Sequence, residues 1–140
     1  MSLEQNKAIV LQFYEAVDRH NIEQAKAIIA PNIVARGIGT DILDYDGFFE
    51  YGFMMHVAFP DGYHIFEDVI AEGNKVVTRG TFTGTHQGDI MGIPATGKLV
   101  TFTVIHVDVV LDSKIVEHWG QGDAIALMQQ LGVLPAIKPQ

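Results

Sequence analysis

Imidazole, carboxylate, amide and indole groups gather near the end of the chain, where His106 and Asp108 precede a hairpin turn and Glu117, Trp119, Gln121 and Asp123 follow it. A turn centred between Asp112 and Ser113 pairs Val110 with Ile115, Asp108 with Glu117, His106 with Trp119, Val104 with Gln121 and Phe102 with Asp123, all on one face. That mixture suits neither a solvated face nor a core, and predicts the polar floor of a pocket. The other face collects Thr101, Thr103, Ile105, Val107, Val109, Val116 and His118. It bears almost no charge, which predicts a homodimer through Ile105, Val107, Val109 and Val116, because the domain's own helices can cover only one side of a sheet. A one-residue bulge in this hairpin would exchange some of these faces.

The chemistry open to such a pocket is proton transfer next to a carbonyl, which needs a partly desolvated base and a donor facing the developing oxyanion. Asp123 and His106 can supply both. The competing role for Asp123 is that of a helix N-cap, whose carboxylate stays ionised and makes a poor base. His106 and Asp108 have the His-x-Asp spacing of a facial metal triad, with His86 or another histidine as the third ligand; a hydrogen-bonded pocket histidine is the commoner outcome, so no metal or other cofactor is expected. Glu117 beside Asp108 forms a like-charge pair if both are buried. Trp119, Tyr14 and Phe53 are expected as apolar walls, although Tyr14 and Phe53, with Phe13 and Met54, serve equally as core. Gln121 adds an amide. His86 and its neighbouring glycines fit no phosphate-binding spacing and predict a loop over the pocket mouth. Arg79, on an interior strand, is expected to pair with a pocket carboxylate, the alternative being an edge residue that points to water.

The elements that must position these groups are legible from periodicity. Val10, Phe13, Tyr14 and Val17 form one stripe of a helix over Leu3 to Arg19, and Asn21 caps a second, shorter helix that Pro31 stops. Ile33 to Arg36 reads as a short strand, and Asp46 as the cap of a third helix through Val57, broken at Phe59-Pro60-Asp61-Gly62. Four antiparallel strands follow at Tyr63 to Glu72, Lys75 to His86, Leu99 to Leu111 and Lys114 to Gln121, and Asp123 opens a closing helix before Gly132 and Pro135. Residues 1–2 and 134–140 are expected to fray. Helices first and then a curved sheet around a pocket define an α+β domain spanning residues 1–140.

Composition narrows the partners. The 140 residues hold nine basic and seventeen acidic side chains, a net charge of −8, so nucleic acid and anionic membrane surfaces are not expected partners. The chain has no cysteine, which removes disulfides, thiolate nucleophiles and cysteine-ligated metals. The richest apolar stretch, Phe48 to Phe59, is interrupted by Glu50, Gly52 and His56, and the first twenty residues carry Glu4, Glu15 and Asp18 without a long apolar core. A cytoplasmic protein with neither membrane span nor signal peptide is expected.

Several motifs occur together in one order: Phe59-Pro60-Asp61; Gly80; Gly84-Thr85-His86-Gln87-Gly88; Gly92-Ile93-Pro94-Ala95-Thr96-Gly97-Lys98; Asp112-Ser113-Lys114-Ile115-Val116-Glu117-His118-Trp119; then Asp123 and Gln130-Leu131-Gly132. This set resembles the SnoaL-like polyketide (ester) cyclase family over nearly the whole chain. The resemblance implies the nuclear-transport-factor-2-like fold shared with ketosteroid isomerases, a cone of helices and curved sheet around a cavity. It also implies that Asp123 is the acid/base of an intramolecular aldol ring closure and that Tyr14 is the first-helix aromatic lining the pocket. The chain departs from the family pattern at Ser113, where glycine is usual, and at Val109, near where many relatives carry arginine. The expected ligand is a small, largely apolar carbonyl compound; a non-catalytic binding protein and a protein-interaction adaptor are the alternatives.

Overall fold

The computed structural model describes residues 2–135, so the expected fraying of residues 1 and 136–140 lies outside the described residues. Helix α1 (Leu3–Asp18) buries Val10, Phe13 and Tyr14 on one stripe. At the start of α1 the Ser2 hydroxyl accepts from the Gln5 amide at 3.0 Å, and the Gln5 side chain accepts from the Ser2 amide at 2.9 Å. This reciprocal capping satisfies amides that a helix start leaves orphaned. Helix α2 (Ile22–Ile28) begins at the expected cap, Asn21, but ends before Pro31. Strand β1 (Ile29–Arg36) therefore starts earlier than its sequence suggested and contains the proline; as an edge strand, it loses little by the missing N–H.

Helix α3 (Tyr45–Ala58) is capped by Asp44, whose Oδ1 accepts from Gly47 N at 2.9 Å, so Asp46 lies in the first turn and is not the cap. Strands β2 (Tyr63–Glu72), β3 (Lys75–Thr85), β4 (Leu99–Leu111) and β5 (Lys114–Gly122) follow, and α4 (Ala124–Gln130) closes the described chain. The sheet order is β1-β5-β4-β3-β2, with β1 parallel to β5 and the remaining neighbours antiparallel. The two outer strands do not pair with each other, so the curved sheet stays open, and the β1 edge is held by an antiparallel bridge from Ala35 to Leu43.

Besides an irregularity in β1 between Ile29 and Val34, two register shifts bend the sheet. One lies in β2 between Phe66 and Asp68, where β2 comes so close to Gly80 that a Cβ there would run into the Ile65 carbonyl. The other decides the functional face. Asp112 and Ser113 both adopt positive φ, 50° and 63°, the twist-matched two-residue turn, and Val110 pairs with Ile115 as expected. The next pair is Val109 with Glu117, which leaves Val116 as an extra residue. Beyond this bulge Asp108 pairs with His118, His106 with Gly120 and Val104 with Gly122. The pairings Asp108–Glu117, His106–Trp119 and Val104–Gln121 are thus corrected, and a one-residue shift moves every later β5 side chain to the opposite face.

The concave face holds two apolar clusters, one around Val10, Phe13, Ile33, Phe48 and Ile115, the other around Phe59, Phe82, Val100, Phe102 and Leu127. Phe66 packs against both. Buried polar side chains Tyr14, Thr78, His106, Asp108 and His118 occupy this same concave side. On the convex face Ile65, Ile70, Ile105 and Trp119 are exposed. Among the described residues no helix is long and apolar enough to cross a membrane.

Candidate functional site

Asp108 on β4 and His118 on β5 are direct cross-strand neighbours aimed at the concave side. His118 Nδ1 lies 2.7 Å from Asp108 Oδ1, and the Tyr14 hydroxyl, arriving from α1, donates to Asp108 Oδ2 at 2.8 Å. The carboxylate is fully buried, so these two donors replace the water it gives up. An imidazole that gives its Nδ1 proton to a carboxylate has its other nitrogen, Nε2, available as the base. Phe48 packs on the His118 ring at 4.9 Å between centroids. A Cβ on Gly120 would sit 2.9 Å from His118 Nε2, so glycine at this position leaves that nitrogen uncovered.

His106 is the next inward residue along β4, flanked by Thr78 on β3 and Gly120 on β5. Its Nδ1 is 3.1 Å from Thr78 Oγ1, and its ring stacks on Tyr14 at 4.7 Å with 22° between planes. Burial, and then the nearby His118 and His64 charges, hold its pKa well below the ordinary imidazole value. His106 is therefore a neutral ring near physiological pH, and in the tautomer whose Nδ1 accepts from Thr78 it presents Nε2–H as a donor. Tyr14 is driven the other way: burial first, then the Asp108 charge and hydrogen bond, push its hydroxyl well above the usual value and keep it protonated.

Behind Tyr14 stands a second carboxylate–imidazole pair. Asp18, one helical turn beyond Tyr14, accepts from the His64 backbone amide at 2.8 Å through Oδ2, and its Oδ1 lies 2.7 Å from His64 Nδ1. The His64 ring is 5.3 Å from Tyr14, 5.5 Å from Phe66, 5.1 Å from Phe82 and 5.8 Å from His106.

Of the residues singled out from sequence, the structure brings His106, Asp108 and Tyr14 together and disperses the rest. Asp123 is exposed and caps α4, its Oδ1 accepting from Ala126 N at 2.9 Å; it follows Gly122 and does not share the face of His106. The bulge sends Glu117, Trp119 and Gln121 outward. There Glu117 accepts from Arg36 at 3.2 Å and from the Trp119 indole at 2.7 Å, and the Arg36 guanidinium covers the Trp119 ring at 5.1 Å. Glu117 is thus not the like-charged neighbour of Asp108. Arg79 also points outward and pairs with Asp68 at 2.6 Å and Glu67 at 3.3 Å rather than with a pocket carboxylate.

Phe53 is 67% exposed and lines a shallow cleft of about 390 Å³ with Lys26, Tyr45, Asp46, Phe49 and Glu50. Phe48, not Phe53, is the α3 aromatic at His118. His86 is buried away from the other histidines, where its Nδ1 meets Thr96 Oγ1 at 3.0 Å and accepts from Thr96 N at 3.2 Å; it fastens the connection between β3 and β4 to itself. Among the described residues no group of three or more His, Asp or Glu is set to hold a metal.

His118, His64, Thr78, Asp18, Phe48 and Phe66 were missed. Asp18 was findable, because it lies four residues after Tyr14 on the same helical stripe. His118 was assigned to the wrong face, because nothing in Ile115-Val116 announces a bulge.

An open α+β cone with buried imidazole, carboxylate and phenol groups on its concave side defines a nuclear-transport-factor-2-like protein. A sequence model of the SnoaL-like polyketide cyclase family matches residues 8–131, and the chain belongs to that family. AclR of Streptomyces galilaeus, a proposed hydroxylase, superposes with a TM-score of 0.89 at 28% identity, covering 98% of this chain and 87% of that one. IdmH of Streptomyces antibioticus, a proposed polyketide cyclase, gives 0.81 at 30% identity over 92% of this chain and 99% of its own. A proposed polyketide cyclase of Acidithiobacillus ferrooxidans gives 0.79 at 31% identity over 94% and 98%. No curated protein sequence matches.

Proposed function

We propose that the chain catalyses proton transfer at a carbon next to a carbonyl, in an aldol-type cyclisation or isomerisation of a small, largely apolar compound. The observation that carries this reading is the pair Asp108–His118, with His118 Nε2 left uncovered above Gly120 and beside a neutral His106. In the reaction the C–H bond next to the carbonyl breaks, its proton goes to His118 Nε2, and its electron pair becomes the enolate. Nε2–H of His106 hydrogen-bonds the oxygen on which charge develops. Asp108 holds the His118 tautomer and stabilises the imidazolium; Tyr14 in turn holds Asp108. Phe48, Phe66 and Phe82 around these rings favour an apolar ligand.

The test is deuterium exchange at the activated carbon of β-tetralone in heavy water, followed by proton NMR. The protein is expected to accelerate exchange over buffer, and His118→Asn to lower the acceleration by about a hundredfold. No acceleration by the unaltered protein, or an unimpaired His118→Asn variant, removes this assignment.

The convex face favours a second copy of the chain as its partner. One cross-strand row there runs Ile70, Val77, Val107 and Trp119, and the neighbouring acids Glu67 and Asp68 both pair with Arg79, which offsets one of their two charges. Sedimentation equilibrium tests this: a Val107→Glu chain is expected to be monomeric where the unaltered chain is dimeric, and a monomeric unaltered chain rules the pairing out.

A further inference from the structure

The concave side holds more acid–base machinery than one proton abstraction needs. His64 faces inward from β2 with Nδ1 against Asp18 at 2.7 Å, the same arrangement that His118 makes with Asp108 at 2.7 Å. The two pairs come from opposite sides of the sheet: β2 is one edge strand, and β5 lies next to the other. His106 stands between them, its ring 5.8 Å from His64 and 5.6 Å from His118. No hydrogen bond among the described residues engages Nε2 of either His64 or His118.

A pure fastening of β2 onto α1 needs only the bond from the His64 backbone amide to Asp18 Oδ2. It does not need an imidazole held by the other carboxylate oxygen inside a cage of Tyr14, Phe66 and Phe82. The ionisable groups facing His64 are Asp18 and Tyr14 from α1 and His106 from β4; its remaining ring neighbours, Phe66 on β2 and Phe82 on β3, are apolar.

We propose that Asp18–His64 is a second, opposed dyad of the same site, in which His64 Nε2–H is the general acid for the oxygen distant from the carbon that His118 deprotonates. The inference rests on the carbonyl chemistry proposed above and deepens it to a substrate with two carbonyl groups. His118 Nε2 takes the proton from the carbon next to the first carbonyl. The enolate carbon forms a C–C bond with the second carbonyl carbon, and the π pair of that carbonyl moves to its oxygen, which takes the proton from His64 Nε2. His118 ends protonated and His64 neutral, and exchange with solvent restores both; no oxidant or reductant is consumed. A substrate with one carbonyl uses only the His118 half.

The experiment measures closure of a linear apolar diketone to its cyclic β-hydroxy ketone by proton NMR, alongside exchange into β-tetralone. The unaltered protein is expected to accelerate both reactions over buffer. His64→Phe, which keeps an aromatic ring in the cage, is expected to slow closure at least about tenfold and by a larger factor than it slows β-tetralone exchange. Asp18→Asn is the second variant and is expected to do the same. If closure is unimpaired in both variants, or if closure and β-tetralone exchange fall by the same factor, Asp18–His64 is a fastening and the inference is overturned. If the unaltered protein accelerates neither reaction, the carbonyl reading itself fails and this inference with it.

Discussion

His118 reaches Asp108, Nδ1 to Oδ1 at 2.7 Å, only because Val116 is bulged out of the ladder two residues earlier. Without that bulge Glu117 would face Asp108, and two carboxylates would share a buried strand pair with no cation between them. With it, one carboxylate accepts from an imidazole and a phenol. Asp108→Asn keeps the shape but turns one accepting oxygen into an amide that cannot accept, so Tyr14 or His118 loses its partner in a dry site. The expected loss is about 1–3 kcal/mol of stability in urea unfolding, together with the acceleration of β-tetralone exchange. An Asp108→Asn protein with unchanged midpoint and exchange would show that the pair does neither job.

Tyr14 offers an independent probe. Because the folded hydroxyl resists ionisation while the unfolded chain ionises near 10, the unfolded state sheds this proton first as pH rises. Fewer protons on the unfolded chain mean that stability falls above that pH. Tyr14→Phe, which is expected to cost about 1 kcal/mol at neutral pH through the lost bond to Asp108, should flatten part of this alkaline decline. Denaturation measured at alkaline pH decides it: identical declines with and without Tyr14 would refute the buried, protonated phenol.

The helices, the strands and the turn at Asp112-Ser113 were legible because each rests on local chemistry. Apolar periodicity marks α1, β-branched runs mark β2 to β5, and two turn residues tolerate positive φ. His106 and Asp108 were legible too, since strand alternation holds along β4 without interruption, and Tyr14 because it lies on the apolar stripe of α1. What was lost is non-local. Whether Val116 bulges depends on how β5 must bend to serve both β4 and β1, and the positions of Glu117, His118, Trp119 and Gln121 follow from that one event. Arg79 was misplaced for a related reason: its partners Asp68 and Glu67 lie at the second bulge, in β2.

His106 should make the protein acid-sensitive in a defined window. Its folded-state pKa is depressed well below 6.5, so below that pH the unfolded chain binds a proton that the folded chain refuses. Stability therefore rises with pH up to about 6.5 and then levels off, with a slope of at most about 1.4 kcal/mol per pH unit from this group. His56 is shifted in the same direction, by burial and then by His20, and adds to the slope. Urea midpoints for His106→Gln and His56→Gln between mildly acidic and neutral pH separate the two contributions. A slope unaltered by His106→Gln would mean that this ring is protonated in the folded protein.

Gly120 is expected to matter through space rather than through backbone conformation. A methyl group there meets His118 Nε2 at 2.9 Å, while His118 is held from behind by Asp108 and cannot turn away without breaking that bond. Gly120→Ala should therefore lower β-tetralone exchange by at least about tenfold while the cooperative unfolding transition survives. Full exchange activity in the variant would mean that the reacting carbon does not approach His118 from the Gly120 side.

Asp123 gives the sharpest contrast between the role implied by family likeness and the one its surroundings support. Its carboxylate is exposed and accepts from Ala126 N at 2.9 Å at the start of α4, a short helix whose Leu127 belongs to the second apolar cluster together with Leu131 just beyond it. Losing the cap frees an orphan amide in a helix too short to hold itself by propensity, so Asp123→Ala is expected to cost about 1 kcal/mol. Asp123→Ser, which can still accept from that amide, should recover most of this. Neither variant is expected to change β-tetralone exchange, because the acid–base pairs lie on the concave face with His118 and His64. Loss of exchange in Asp123→Ser with an unfolding midpoint close to that of the unaltered protein would return the acid/base role to Asp123 and take it from His118.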